Sequence, residues 1–213
     1  MSMKTRLAVT ALMSSAIVLG AVFIVADQSA SQPRPPITLA TSLRPTSTFD
    51  GIMNPREKSI ALFREAGKVI QHPRCMNCHP VGNRPTQSDR MLPHQPVVAR
   101  GKDGHGVPGM ECSTCHHKAN YDAATVPGDP HWHLAPASMA WAGRSLGQIC
   151  AQIKDPKRNG GKDMAALIRH MAEDSLVGWA WSPGKGRAPA PGTQAEFAAL
   201  IKAWAAAGAH CPA

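Results

Sequence analysis

Residues 75–79 read Cys75-Met76-Asn77-Cys78-His79, and residues 112–116 read Cys112-Ser113-Thr114-Cys115-His116. In each stretch two thiols stand three positions apart and a histidine follows directly. Zinc held by two such cysteine pairs typically has about 15–20 residues between them. Here 33 residues separate Cys78 from Cys112, and zinc has no use for both following histidines. A thioredoxin-like redox pair wants a strand–helix–strand context, and none surrounds either pair. Iron–sulfur clusters prefer other cysteine spacings. Two ordinary disulfides would each close a ring across only two residues, a poor staple. The pattern does suit covalent haem attachment, in which two thiols add across the vinyl groups of a porphyrin and the adjacent histidine sits under the iron. Cys75, Cys78, Cys112 and Cys115 are therefore expected to hold two haem c groups, with His79 and His116 as proximal iron ligands.

The rest of the composition agrees with a chain that needs a cofactor. Hydrophobic residues make up 43% of the 213 and aromatic residues only 5%, thin for a self-sufficient core, while 18 Gly and 19 Pro demand turns and irregular structure. Asn54 and Pro55 open a helix over 55–71, with Glu57 placed for a capping box and Ile60, Phe63, Gly67 and Ile70 at helical spacing. Residues 80–111 show little periodicity, a long loop that wrapping a cofactor explains. Ser145 with Gln148 opens a helix to about Ile153, and a second covers about 162–173. Thr193 and Glu196 cap a last helix with Phe197, Leu200, Ile201 and Trp204 as its apolar stripe, ending at Gly208. No strand signal is worth counting. The expected fold is mainly α with extensive irregular loops, a small multihaem fold wrapped around two haems.

Lys4 and Arg6 precede Leu7 to Ala26, a run without charge. A positive flank before an apolar stretch marks export, so residues 1–26 read as a signal peptide or an uncleaved signal anchor. Either way the chain beyond Ala26 lies outside the cytoplasm, in a periplasmic location, tethered to the inner membrane if the segment stays. Residues 27–50, with Pro33, Pro35, Pro36 and Pro45 among Ser and Thr, read as a linker or as a scar behind a cleaved peptide. Residues 51–213 form the dihaem domain. The net charge is +9, about +7 without the leader. No basic run is interleaved with aromatics, so an acidic protein partner or a membrane surface is expected rather than nucleic acid.

The distal iron ligands must come from histidines or methionines that loops bring over the open haem face. His94, between Pro93 and Pro96, and His133, from the pair His131 and His133 around Trp132, are the main candidates. Met139 beside Trp141 is the weaker one, and His117 is able to serve only the other haem. His72 lies too near Cys75 to cross over, and His105 sits between glycines at the surface. Met164 and Met171 belong to a helical core stripe, with His170 at its polar edge. Cys150 and Cys211 remain, and in an oxidising compartment they pair as a disulfide.

The paired motifs, the export leader and the Pro/Gly-rich connection resemble small dihaem c-type cytochromes of the bacterial periplasm. More loosely, the chain is similar to cytochrome subunits beside periplasmic oxidoreductases such as molybdenum hydroxylases. The resemblance implies electron transfer between such an oxidoreductase and the respiratory chain, with a redox protein partner and no catalytic residues. The alternative is a dihaem enzyme such as a peroxidase, which needs an open iron and acid–base groups. The ordinary single-haem fold expects a glycine and an aromatic at set places in the helix before the motif, and Phe63 and Gly67 do not fit. Lys154, Lys157, Arg158 and Lys162 form the densest basic cluster and the expected docking face.

Overall fold

The first helix starts for local reasons. Asn54 stays extended and its side-chain oxygen accepts the amides of Arg56 and Glu57, while Pro55 takes the first helical position, where no amide is needed. This helix, α1, runs Pro55–Ile70 in the computed structural model, which describes residues 39–213. The leader, 1–26, and the linker up to residue 38 lie outside the described residues. Among the described residues no helix is long and apolar enough to cross a membrane.

A single turn, α2 (Pro73–Met76), comes at once and carries the start of the first motif. Helix α3 (Leu146–Lys154) opens with a complete capping box between Ser145 and Gln148. Asp163 caps α4 (Met164–Glu173), Asp174 caps the short α5 (Ser175–Gly178), and Thr193 caps α6 (Gln194–Ala206). The chain is mainly helical.

Residues 80–111 are not wholly irregular. Strand β1 (Thr86–Gln87) pairs antiparallel with β2 (Leu92–Pro93), and β3 (Gly106–Val107) pairs antiparallel with β4 (Met110–Glu111). Ladders of two residues have no period to read in a sequence. The second hairpin closes on Pro108-Gly109, with Gly109 at φ +80°, the pair a type II turn asks for.

Helices α1 and α6 pack together and α4 lies on α6. Phe63 meets Trp204 with ring centres 4.8 Å apart, at the middle of a cluster closed by Ile149 and Ile153 of α3 and Leu167 and Met171 of α4. Gly67 permits α3 to approach: a Cβ there would stand 2.6 Å from a methyl of Leu146. Cys150 and Cys211 are bonded to each other, joining α3 to residues beyond α6. Part of the expected linker joins this core. Leu43 and Phe49 are buried, and the Thr41 carbonyl accepts the Gly192 amide. The Ser, Thr and Pro content of 41–50 hides two large apolar side chains that find a place on the helices.

The core is one-sided. From Gln71 to His133 no aliphatic side chain other than proline, and no Phe, Tyr or Trp, is buried. The buried side chains of that stretch include His72, Arg74, Asn77, Arg100 and Asp129, while Val81, Leu92, Val97, Met110 and Tyr121 are exposed.

Glu65 is buried, its side chain 1% exposed, with Arg44 and Lys68 on its oxygens. Burial by itself would raise its pKa, but the bonds from Lys68 and Arg44 outweigh this and hold it below the ordinary carboxylate value. Such a group stabilises the fold above its unfolded pKa of about 4.3 and loses that contribution as pH falls through the lowered folded value. Glu65→Gln is expected to cost about 2 kcal/mol at neutral pH and to flatten the acid limb of the stability curve in denaturant titrations. An unchanged acid limb contradicts the assignment. Replacing Cys150 and Cys211 together by Ser is expected to cost about 4 kcal/mol by loop entropy, read in the same titrations.

Candidate functional site

Both motifs fold as one helical turn. In the first, the Cys78 amide donates to the Cys75 carbonyl and the His79 amide to the Met76 carbonyl, each at 3.2 Å. In the second, the amides of Cys115 and His116 both return to the Cys112 carbonyl, at 3.2 and 2.8 Å. Residues three and four apart share a face of such a turn, so two thiols and an imidazole are delivered to the same side. All four cysteines are free.

Each turn opens on its own cavity. Cys75, Cys78 and His79 line one of about 160 Å³, and Cys112, Cys115 and His116 line another of about 570 Å³. Arg74, Cys78 and His133 line both, so the two adjoin. Small-molecule pockets span about 300–1,000 Å³. The second falls within that range; the first is a slit whose wall includes Met139 and Met171, unbranched side chains that reshape easily.

The two motif histidines are held alike. His79 Nδ1 donates to the Met139 carbonyl at 2.7 Å, and its ring lies on Trp141 with centres 3.4 Å apart and planes 8° from parallel. His116 Nδ1 donates to the Pro127 carbonyl at 2.7 Å, and its ring stacks on Trp132 at 4.6 Å and 16°. A carbonyl only accepts, so the hydrogen sits on Nδ1 and Nε2 keeps a free lone pair, the tautomer of a metal-ligating histidine. Burial pushes His79 down to about 3 and lowers His116, while their carbonyl bonds act the other way. Both rings are therefore neutral at physiological pH, as a ligand must be. Burial also pushes Cys75 up to about 12 and Cys78 up to about 11. Both thiols are held in the protonated form.

The surrounding chain fixes this geometry. The amide of Ala135 donates to the Cys78 carbonyl and that of Trp141 to the His79 carbonyl, strapping 135–141 along the first motif. At the second, Asn120 Oδ1 accepts the Gly128 amide and the Trp179 indole N–H, and Trp179 meets Trp132 edge-on at 4.9 Å.

Of the expected distal ligands, His94 lines the second cavity, its ring centre 5.9 Å from that of His116 and its Nδ1 donating to the Pro96 carbonyl. A metal bonded at about 2 Å to one nitrogen of each of two imidazoles sets the ring centres roughly 6 Å apart. His133 lines both cavities, with Nδ1 on the His131 carbonyl. Met139 lines the first cavity, but its carbonyl takes the Nδ1 side of His79, opposite the free lone pair. His117 and His131 line neither cavity. His105 lies 5.1 Å from His133, and His72 caps α2 by accepting the Arg74 amide.

Sequence reasoning passed over two residues. Arg74, its side chain 1% exposed, lines both cavities, pairs with Asp89 and lies 5.9 Å from the Trp179 ring. Its Nε, like the indole nitrogen of Trp141, is buried without a partner. No pattern in the sequence marks it. His170 lines the first cavity from α4, with Nδ1 3.0 Å from an oxygen of Asp174. That bond, against opposing burial, pushes Asp174 down to about 2. Here a signal exists: His170 stands three residues after Leu167 and four before Asp174, on one helix face.

Haem fits this donor set. The porphyrin fills four iron positions, so one or two protein ligands suffice. Among the described residues no group of three or more His, Cys, Asp or Glu is assembled to hold a bare metal ion. Each cavity offers two thiols for the vinyl groups. The orphaned donors of Arg74 and Trp141 suit the anionic propionates, and residues 71–133 lack the apolar surface that a macrocycle brings. No protein-family model, curated protein or solved structure matches the chain.

A Cβ at Gly128 would stand 2.2 Å from the Ala119 carbonyl oxygen and 2.5 Å from that of His117. Gly128→Val is expected to displace Pro127 and release His116. In cofactor-free protein, Cys112 should then react faster with a thiol reagent while Cys75 and Cys78 keep their rates. Equal changes at both sites, or none, contradict the strap's role.

Proposed function

We propose that this chain is a dihaem c-type cytochrome passing electrons between a periplasmic or membrane-bound oxidoreductase and a respiratory chain. The observation that carries the reading is the duplicated arrangement. Two C-x-x-C-H turns each present thiols and a neutral imidazole to a cavity, and each imidazole is tied at Nδ1 to a carbonyl and stacked on a tryptophan. Haem iron, cycling between ferrous and ferric, supplies the redox chemistry when bound.

The chain's own residues do the rest. The motif thiols Cys75, Cys78, Cys112 and Cys115 would hold the haems through their vinyl groups, sulfur going to one carbon and the thiol hydrogen to the other, with no net oxidation. His79 and His116 would hold the iron through Nε2, and the Met139 and Pro127 carbonyls keep them in that tautomer. His94, its ring centre 5.9 Å from that of His116, would be the second residue to hold the iron in the second cavity. Arg74, with its unpartnered Nε–H, would hold a propionate, and its buried charge would favour the less positive, reduced state at both sites. The wall shared by Arg74, Cys78 and His133 supports two cofactors close enough to exchange an electron directly.

A docking face is supported by the basic turn after α3. Asn159 is buried and binds the Ile153 and Lys162 carbonyls and the Lys162 amide, which fixes the turn carrying Lys157 and Arg158. Asn159 and Lys162 also line the first cavity, so the basic residues stand at its rim. An acidic partner would be steered there.

Mass spectrometry of the mature protein is expected to show two haem additions that survive acid extraction, with Cys75→Ala and Cys112→Ala each disturbing one. A holoprotein carrying zinc and no haem overturns the reading. In redox titrations Arg74→Gln is expected to lower both midpoint potentials, and unchanged potentials would remove Arg74 from this role.

A further inference from the structure

The first cavity has four side chains besides His79 that bind haem iron through nitrogen or thioether sulfur with good affinity: His133, Met139, His170 and Met171. Their surroundings separate them. Met139 gives its carbonyl to the Nδ1 side of His79, and Trp141 lies flat on the same ring, so that strap belongs to the back of the imidazole. Met171 is 6% exposed within the helical core, packed among its neighbours. His133 belongs to the wall between the cavities: its chain neighbour Trp132 stacks on His116, and its own ring lies near that of His105.

His170 is placed differently. Leu167, His170 and Met171 turn one face of α4 into the cavity. His170 Nδ1 points to Asp174 Oδ2 at 3.0 Å, and no hydrogen bond engages its Nε2 among the described residues. Asp174 is itself over-determined. Its other oxygen accepts the Leu176 and Val177 amides at the start of α5, which leaves Oδ2 to the imidazole. A carboxylate locked by backbone amides and bonded to one ring nitrogen is the outer arrangement that orients a metal-binding histidine. With the proximal strap behind His79, α4 brings a second imidazole to the same cavity.

We infer that His170, oriented by Asp174, is the sixth ligand to the iron held by His79, an inference that rests on the dihaem reading. The first site is then bis-imidazole, with its second imidazole on a helix rather than a loop. Asp174 is a positioning residue, and its negative charge on the imidazole favours the ferric state.

The test uses the holoprotein. His170→Ala is expected to keep two haems by the pyridine haemochrome assay, since attachment is covalent. One of the two low-spin ferric signals should be lost, one haem per chain should bind carbon monoxide, and added imidazole should restore the low-spin signal. Asp174→Asn keeps the α5 cap, because asparagine caps as well, and is expected to raise the potential of one haem only. Two low-spin, carbon-monoxide-inert haems in His170→Ala overturn the inference, as does a parallel His133→Ala variant that alone opens the first site. An unchanged pair of potentials in Asp174→Asn overturns the role of Asp174. A native protein without haem defeats the dihaem reading instead, so the two failures are distinct.

Discussion

Residues 71–133 have almost nothing apolar to fold around, and this constraint shapes everything beside them. Ordering a residue costs about 1–2 kcal/mol of backbone entropy, and the usual compensation is apolar burial at about 25 cal/mol per Å². That compensation is nearly missing here. What holds the stretch is a set of arginines clasping backbone carbonyls. Arg100 reaches those of Ala135 and Gly82, Arg84 takes that of His94 twice, and Arg187 takes those of Thr125 and Pro183. Charge-assisted bonds suit this task, because each is worth about twice a neutral one. They fix the path of the chain around a space without filling it.

The two cavities differ because they lie at different distances from the helices. The first is walled partly by Leu167, Met171 and Phe197, residues of the helical core, so it inherits the closeness of that packing. The second is lined by the hairpins, by 124–127 and by 185–187, and it is correspondingly wide. Burial and dielectric are among the levers by which a protein sets the potential of a haem. Two cofactors in such unlike surroundings would differ in potential without any difference in attachment chemistry. Under the dihaem reading, direction of electron flow is then built into the position of each site relative to one core.

The helices were legible in the sequence because their causes are local. Asn54 with Pro55, and Ser145 with Gln148, announce a helix within four residues, and the structure agrees with both starts. The two C-x-x-C-H motifs were equally visible in the chain, and the structure folds each as one turn that opens on a cavity. The hairpins over 86–111 were not, because two paired residues carry no periodicity. The burial of Leu43 and Phe49 was hidden by Ser, Thr and Pro around them. Arg74 was invisible for a deeper reason. Its importance lies in facing two cavities at once, a relation between segments far apart in the chain that no local pattern encodes. His170 was readable in part: its spacing from Asp174 is plain in the chain, but which side of α4 meets a cavity is decided only by packing.

The pairing of Cys150 with Cys211 also says something about maturation. Under the dihaem reading, six cysteine sulfurs in an oxidising compartment would allow many wrong partners, and scrambling would be the hazard for a chain whose other four must stay reduced until they meet haem. Cys150 is fully enclosed by the α1–α3–α6 packing, and Cys211 is brought to it by contacts that include the Trp204 indole on the His210 carbonyl. Of the hydrophobic residues in 75–116, only the partly buried Cys75 and Met76 pack against that core. On that reading the helical part is able to retire its own two sulfurs from exchange first, which would leave the motif thiols as the only cysteines open to the cofactor. On that reading the bridge acts as a sorting device, dividing the sulfurs of one chain between two chemistries before the second begins.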